Sequence, residues 1–217
     1  MSLKRLKKNL KETKPAIDTH KTILIPLDYS FKALSDFSEV LLEKPRGRDW
    51  KPNESLEDEM TSDSGKLIIT QSDAEVVRLN NNMLSSWDGF SDTFHTLLLS
   101  PLQLSWIDLS FNDLKSIHAC LLEFANLSVL YFYGNNVSKL SEVDKLGGFV
   151  NLRTLAVHGN PIESSDGYRQ YVLSRVPQLK CLDFSTVTKS DRVTADVWKR
   201  MIAPKKTKTK PPTDDTK

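Results

Sequence analysis

Leu104-Ser105-Trp106-Ile107-Asp108-Leu109-Ser110-Phe111-Asn112-Asp113-Leu114 is the stretch that decides how this chain folds. It reads apolar-x-x-apolar-x-apolar-x-x-Asn-x-apolar on Leu104, Ile107, Leu109, Asn112 and Leu114. The register returns around Asn82 (Ala74, Val77, Leu79, Leu84), Asn135 (Leu127, Leu130, Phe132, Val137) and Asn160 (Leu152, Leu155, Val157, Ile162). A fifth segment keeps Leu179, Leu182 and Phe184 at the apolar positions but has no asparagine. Successive asparagines lie 30, 23 and 25 residues apart. One coil of that length cannot bury its apolar side alone, so the recurrence implies stacked coils that share a core.

The register is that of the leucine-rich repeat. The expected fold class is α/β: a short leucine-rich-repeat solenoid with a curved parallel sheet, a helical or 3₁₀ convex side and terminal caps. Strand alternation sends Ile107 and Leu109 to the core and Trp106, Asp108 and Ser110 to the opposite face. An asparagine at the strand exit has two donors and an acceptor, which can serve backbone groups of its own and neighbouring coils. A buried polar group left unpaired costs about 1–3 kcal/mol. Asn82, Asn112, Asn135 and Asn160 are therefore read as a structural ladder rather than a polar binding site.

The 217 residues have room for one domain with tails or for two small ones. Residues 1–14 carry six Lys/Arg against one Glu, and residues 205–217 carry five Lys against two Asp. Since the whole chain is only +2, the body between is acidic, which argues against the repeats gripping a phosphate backbone. Cys120 and Cys181 have no disulfide-framework spacing, which suits a reducing, cytoplasmic compartment. The basic start has no apolar segment of a secretory signal after it, and no run is long enough to span a membrane. The sequons at Asn126 and Asn136 are accordingly read as unused.

Composition divides the chain into a basic arm (1–22), an N-terminal cap segment (23–43), a Pro/Gly/Ser- and charge-rich linker (44–65), the repeat domain (66–204) and a basic tail (205–217). A partner-docking motif is the other reading of 23–43. Pro26 favours extended backbone before it, and Phe37, Val40 and Leu41 follow at helical spacing. Lys66–Thr70 reads as a leading strand. Return arms are expected at Gly89–Ser100 (a helix stopped by Pro101), Ser116–Phe124, Lys139–Leu146 and Ser164–Val176. The cap, 163–204, ends in a helix with Ser190 as N-cap, in which Val193, Val197, Trp198 and Met201 form a stripe that covers the last coil.

No catalytic constellation is present. His20, His95, His118 and His158 fall in separate segments without metal-ligand spacing, and no phosphate-binding or nucleophile-elbow motif occurs. The expectation is a non-enzyme with no cofactor, no metal and no small-molecule substrate. The remaining candidate is the concave face, whose rows are Val76, Trp106, Val129, Thr154, Cys181; Arg78, Asp108, Tyr131, Ala156, Asp183; and Asn80, Ser110, Tyr133, His158, Ser185. Trp106, Tyr131, Tyr133 and His158 form an aromatic cluster flanked by Arg78 and Asp108, the residue types that dominate protein interfaces. Cover of this patch by the chain's own tails or N-terminal segment is the competing reading.

Tyr168-Arg169-Gln170-Tyr171 followed by Leu179-Lys180-Cys181-Leu182-Asp183 resembles the C-terminal cap of short intracellular leucine-rich-repeat proteins. Those include the phosphatase-regulator, U2 small-nuclear-ribonucleoprotein A′ and axonemal dynein light-chain types. Pro26-Leu27-Asp28-Tyr29-Ser30-Phe31 and Val197-Trp198-Lys199-Arg200-Met201 extend the resemblance over roughly residues 26–204. It implies a cytoplasmic interaction scaffold, with a cytoskeletal or ciliary/flagellar axonemal partner as the leading specific reading. A nuclear ribonucleoprotein adaptor and a phosphatase-regulatory subunit are the alternatives. Nucleic acid and membrane are not expected as partners.

Overall fold

The stretch Trp106–Asp108 is a strand, and its inward neighbours Leu104, Ile107, Leu109 and Leu114 have no exposed surface. A computed structural model describes residues 26–47 and 72–202. Its strands are β1 (Leu27–Asp28), β2 (Val76–Arg78), β3 (Trp106–Asp108), β4 (Val129–Tyr131), β5 (Thr154–Ala156), β6 (Cys181–Leu182) and β7 (Ser185–Thr186). They form a single sheet in chain order, parallel from β1 to β6, with β7 antiparallel at the end. In-register pairing stacks Val77, Ile107, Leu130, Leu155 and Leu182, all fully buried, into one column through the core.

The four asparagines are buried and link each coil to the one before. Asn112 Oδ1 accepts from Leu84 N–H at 3.1 Å, while its Nδ2 donates to the carbonyls of Leu79 at 3.0 Å and Leu109 at 3.1 Å. Asn135 does the same for Leu114 N–H, Leu109 O and Phe132 O, and Asn160 for Val137 N–H, Phe132 O and Val157 O. Asn82 reaches back into the N-terminal segment, accepting from Lys32 and Leu34 N–H and donating to Tyr29 O. The segment 26–47 thus adds a strand to the sheet edge and lays the 3₁₀ turn Phe37–Leu42 over the end, with Phe37 and Val40 buried. A second set of side-chain amides runs along the opposite edge. Asn126 Nδ2 donates to Leu102 O at 2.9 Å, Asn151 Nδ2 to Ala125 O at 3.1 Å, and Gln178 Nε2 to Phe149 O. Asn126, read as an idle sequon, is one of them.

The convex side carries α1 (Phe90–Leu97), α2 (Tyr168–Arg175), and 3₁₀ turns at Ala119–Glu123 and Leu140–Gly148. α1 stops before Pro101 is reached. Leu98 instead goes extended, because Ser72 bridges it: Ser72 N–H donates to Leu97 O and Leu99 N–H to Ser72 O. The return arm 164–176 is broken rather than continuous. Gly167, at φ 73°, separates the 3₁₀ turn Pro161–Ser164 from α2.

The cap helix α3 (Lys189–Ile202) departs from expectation twice. Its start is capped by Thr188, not Ser190. Thr188 Oγ1 accepts from Asp191 N–H while the Asp191 carboxylate accepts from Thr188 N–H, a reciprocal box. The buried contact face is set by Ala195, and the Arg169 guanidinium grips both Asp191 oxygens at 3.1 Å. Val193, Val197 and Met201 consequently face away from the core and are exposed. The expected arm (1–22), the leading strand Lys66–Thr70, most of the 44–65 linker and the tail (205–217) lie outside the described residues.

Candidate functional site

Every coil leaves its strand through a left-handed residue, which in the four ladder coils stands one position before the asparagine. The column is Phe31 (φ 56°), Asn81 (58°), Phe111 (52°), Gly134 (67°) and Gly159 (67°), and Phe184 (58°) follows β6. Glycine and asparagine suit this conformation, whereas a bulky L residue pays roughly 1–2 kcal/mol for it. Three of the six are nevertheless phenylalanines, and all three rings are exposed, Phe31 at 65%, Phe111 at 51% and Phe184 at 56%. Strain kept at a solvent-facing aromatic is an outlier that packing does not explain. The glycine at 134 answers to its neighbour, since a Cβ there would sit 2.7 Å from Phe111 Cδ1.

Two of these rings, Phe111 and Phe184, join the concave aromatics. Trp106 meets Tyr131 edge to face at 5.5 Å between centroids, and Tyr131 meets Tyr133 at 6.2 Å. His158 stacks on Tyr133 at 4.9 Å with planes 8° apart. Phe184 touches Tyr131, Tyr133 and His158 at 5.3, 5.7 and 5.5 Å, and Phe111 touches Tyr133 at 5.1 Å. The structure therefore brings the four expected aromatics into one contiguous surface and adds two that the register reading missed. Phe184 had been assigned an inward apolar position. A two-residue turn with both Asp183 and Phe184 left-handed rotates it out, and allows β7 to pair back on β6. The repeated left-handed column was the signal that could have found Phe111 and Phe184.

Asp183 completes the backbone pairing of the last coil. Leu79, Leu109 and Phe132 N–H each donate to a backbone carbonyl of the following strand. The chain turns at Asp183 before offering Val157 such a carbonyl. Its carboxylate takes the place, accepting from Val157 N–H at 2.8 Å, His158 N–H at 3.0 Å and the Tyr168 hydroxyl at 2.8 Å. Burial, and then the Asp183 charge, push the Tyr168 hydroxyl well above the ordinary tyrosine range.

The polar flank differs from expectation. Asp108 is buried at 5% exposure rather than presented, because Ser110 N–H and Oγ–H turn its Oδ1 back onto the chain at 3.0 and 2.5 Å. Burial raises its carboxyl above the usual aspartate value despite those bonds. Ser110 and Asn80 are buried with it. Arg78 does not touch the aromatics, but pairs with Asp28 at 3.3 Å. Burial alone would raise the Asp28 carboxyl; hydrogen bonds from Ser30 and the Arg78 and Arg46 charges hold it below its ordinary value. Among the described residues no group of three His, Cys, Asp or Glu side chains is placed to hold a metal, and no helix is long and apolar enough to cross a membrane. Burial pushes the Cys120 thiol up to about 11.

One substitution separates strain from packing. Phe184→Asn keeps the left-handed turn and removes the ring, so the unfolding free energy should stay within about 1 kcal/mol of the parent. Chemical denaturation checks this, and a loss above about 2 kcal/mol would mean that the ring serves the fold after all.

The family model described as "Leucine-rich repeat" matches residues 69–209. Leucine-rich repeat-containing protein 51 of Rattus norvegicus is 48% identical over 186 residues, covering 85% of this chain and 91% of the relative. A protein described as a probable U2 small nuclear ribonucleoprotein A′ of Drosophila melanogaster is 31% identical over 121 residues, 45% of this chain and 46% of that protein. Among solved structures, the Drosophila melanogaster SNF/U2A′ complex superposes with a TM-score of 0.50 and 30% identity, over 57% of this chain and 67% of that one.

Proposed function

The chain belongs to the leucine-rich-repeat family, and from that premise we propose that it is an interaction scaffold whose concave aromatic face docks a protein partner of the cytoskeleton or ciliary axoneme. The observation that carries the docking reading is the unbroken aromatic surface from Trp106 through Tyr131 and Tyr133 to His158, Phe184 and Phe111. Exposed aromatic rings supply large contact area at low entropic cost, and such residues concentrate binding energy in interfaces. The axonemal part rests on the resemblance of the Tyr168–Asp183 cap to axonemal dynein light-chain repeat proteins. It carries with it a cytoplasmic or ciliary location.

A second reading, a nuclear ribonucleoprotein adaptor, draws on the similarity to U2A′, a protein solved in complex with SNF. The third, a phosphatase-regulatory subunit, has no comparable observation behind it. Proximity labelling from the full chain in a ciliated cell tests the choice. Enrichment of axonemal proteins supports the first reading. Enrichment of spliceosomal proteins with salt-sensitive RNA recovery would overturn it in favour of the second.

A further inference from the structure

The concave face is chemically divided. Around β1–β3 the face is polar, with Asp28 paired to Arg78, Arg46 close by and Asp108 buried; from β3 onward it is aromatic. Residues 72–152 carry nine Asp/Glu against four Lys/Arg, so this half of the repeat body as a whole is net negative. At the junction three buried polar atoms make no hydrogen bond among the described residues: Arg78 Nε, Asn80 Oδ1 and Trp106 Nε1. Asn80 is only 7% exposed, and its unused acceptor lies on the concave row between Ser30 and Ser110. Buried groups are rarely left unpaired, so three on adjacent strands make this junction the least satisfied part of the sheet among the described residues. A net negative body and a run of exposed aromatic rings together suit a segment in which cations alternate with aliphatic side chains.

This chain contains such a segment. Residues 1–14, MSLKRLKKNLKETK, place Leu3, Leu6 and Leu10 three and four residues apart, with Lys4, Arg5, Lys7, Lys8, Lys11 and Lys14 between and around them. Leucines at that spacing can contact one surface together, with cations between them. The connection also fits. Residues 15–26 lead into β1, the first strand of the sheet, and twelve residues span up to about 40 Å when extended. Neighbouring strands are about 4.8 Å apart, so the aromatic rings on β4 lie only about 14 Å from β1. A tether of that length holds the segment at a local concentration on the order of millimolar, enough to populate even a weak contact.

We propose that residues 1–14 dock on the concave face of their own chain, with the leucines against Tyr131, Tyr133 and Phe184 and the cations held by the net negative charge of the repeat body. The arm then acts as an internal occupant that a partner displaces. The inference rests on the reading of this face as the docking surface. It names the occupant of the unpartnered state.

The test uses the full chain with a photo-crosslinking residue in place of Leu6, irradiated alone, with adducts mapped by mass spectrometry. Mixing isotope-labelled and unlabelled chains separates adducts within one molecule from those between two. The expected result is intramolecular adducts to segments containing Tyr131, Tyr133 or Phe184. Their yield should fall about tenfold when Lys4, Arg5, Lys7 and Lys8 are changed to Glu, and similarly in Tyr131→Ala/Phe184→Asn. Adducts on the convex turns, adducts to a second copy, no adducts, or equal yield from the charge-reversed arm would each overturn the proposal. Any of these would leave partner capture by the concave face measurable on its own, so the two readings fail separately.

Discussion

Asn112→Ala is expected to lower the unfolding free energy by about 3 kcal/mol, the largest stability loss foreseen for a single polar side chain here. The side chain satisfies Leu84 N–H in the preceding coil and the carbonyls of Leu79 and Leu109, all buried. Alanine orphans Leu84 N–H in a core whose apolar neighbours are sealed from water, at about 1–3 kcal/mol, softened where a water can enter, and removes one of the two amide bonds at each carbonyl, since Leu79 O keeps Asn82 Nδ2 and Leu109 O keeps Asn135 Nδ2. Asn112→Asp should fare no better, since it keeps the acceptor, loses both donors and buries a charge. Asn126→Ala is the control. Its bond to Leu102 O and the long one it accepts from Asn151 Nδ2 lie at an exposed edge, and their loss should stay below about 1 kcal/mol. Urea titration measures all three. A cost for Asn112→Ala below about 1 kcal/mol would remove the ladder from the account of what joins the coils.

Trp106→Ala combined with Tyr131→Ala should reduce partner capture at least about a hundredfold, because central aromatic anchors carry about 2 kcal/mol or more each. The two rings pack edge to face and sit half-buried between neighbouring strands. Their removal therefore costs some stability as well, about 1–2 kcal/mol from the lost ring contact and burial. The paired measurement is decisive because the two effects differ so much in size. Capture lost with a modest fall in melting temperature places the function on this face. Capture retained in a protein that still folds would move it elsewhere.

The fold was legible because leucine-rich coils repeat their logic. Spacing alone placed Leu104, Ile107, Leu109 and Asn112 on a strand and its exit, and the sheet runs in the order the register implies. What escaped sequence reasoning was orientation at places where local backbone departs from alternation. Asp108 alternates outward, yet Ser110 two residues on folds its carboxylate back and neighbouring strands close over it. Phe184 matches an inward position by count, yet two left-handed residues in a row reverse the chain under it. Val193, Val197 and Met201 are spaced like a buried stripe, but the side of α3 that packs is chosen by the small Ala195 and the Arg169–Asp191 clamp. Apolar spacing shows that a helix has two faces; only its neighbours decide which one is covered.

The aromatic cluster itself was visible from alternation, because Trp106, Tyr131, Tyr133 and His158 come from three adjacent strands in register. Its outer members, Phe111 and Phe184, were not, since they belong to the turn column rather than to a strand. That column is legible only when the residue before each asparagine is compared across coils, where phenylalanine stands in a place that glycine fills elsewhere.

The most direct test is to place a photo-crosslinking residue at Tyr133 on the concave face or, in a second chain, at Leu122 on the convex turn, and irradiate both in the same ciliated cells. The account predicts a defined protein adduct from position 133 that is lost in Trp106→Ala/Tyr131→Ala, and none in common from position 122. The same partner captured from position 122, with nothing from position 133, would contradict it.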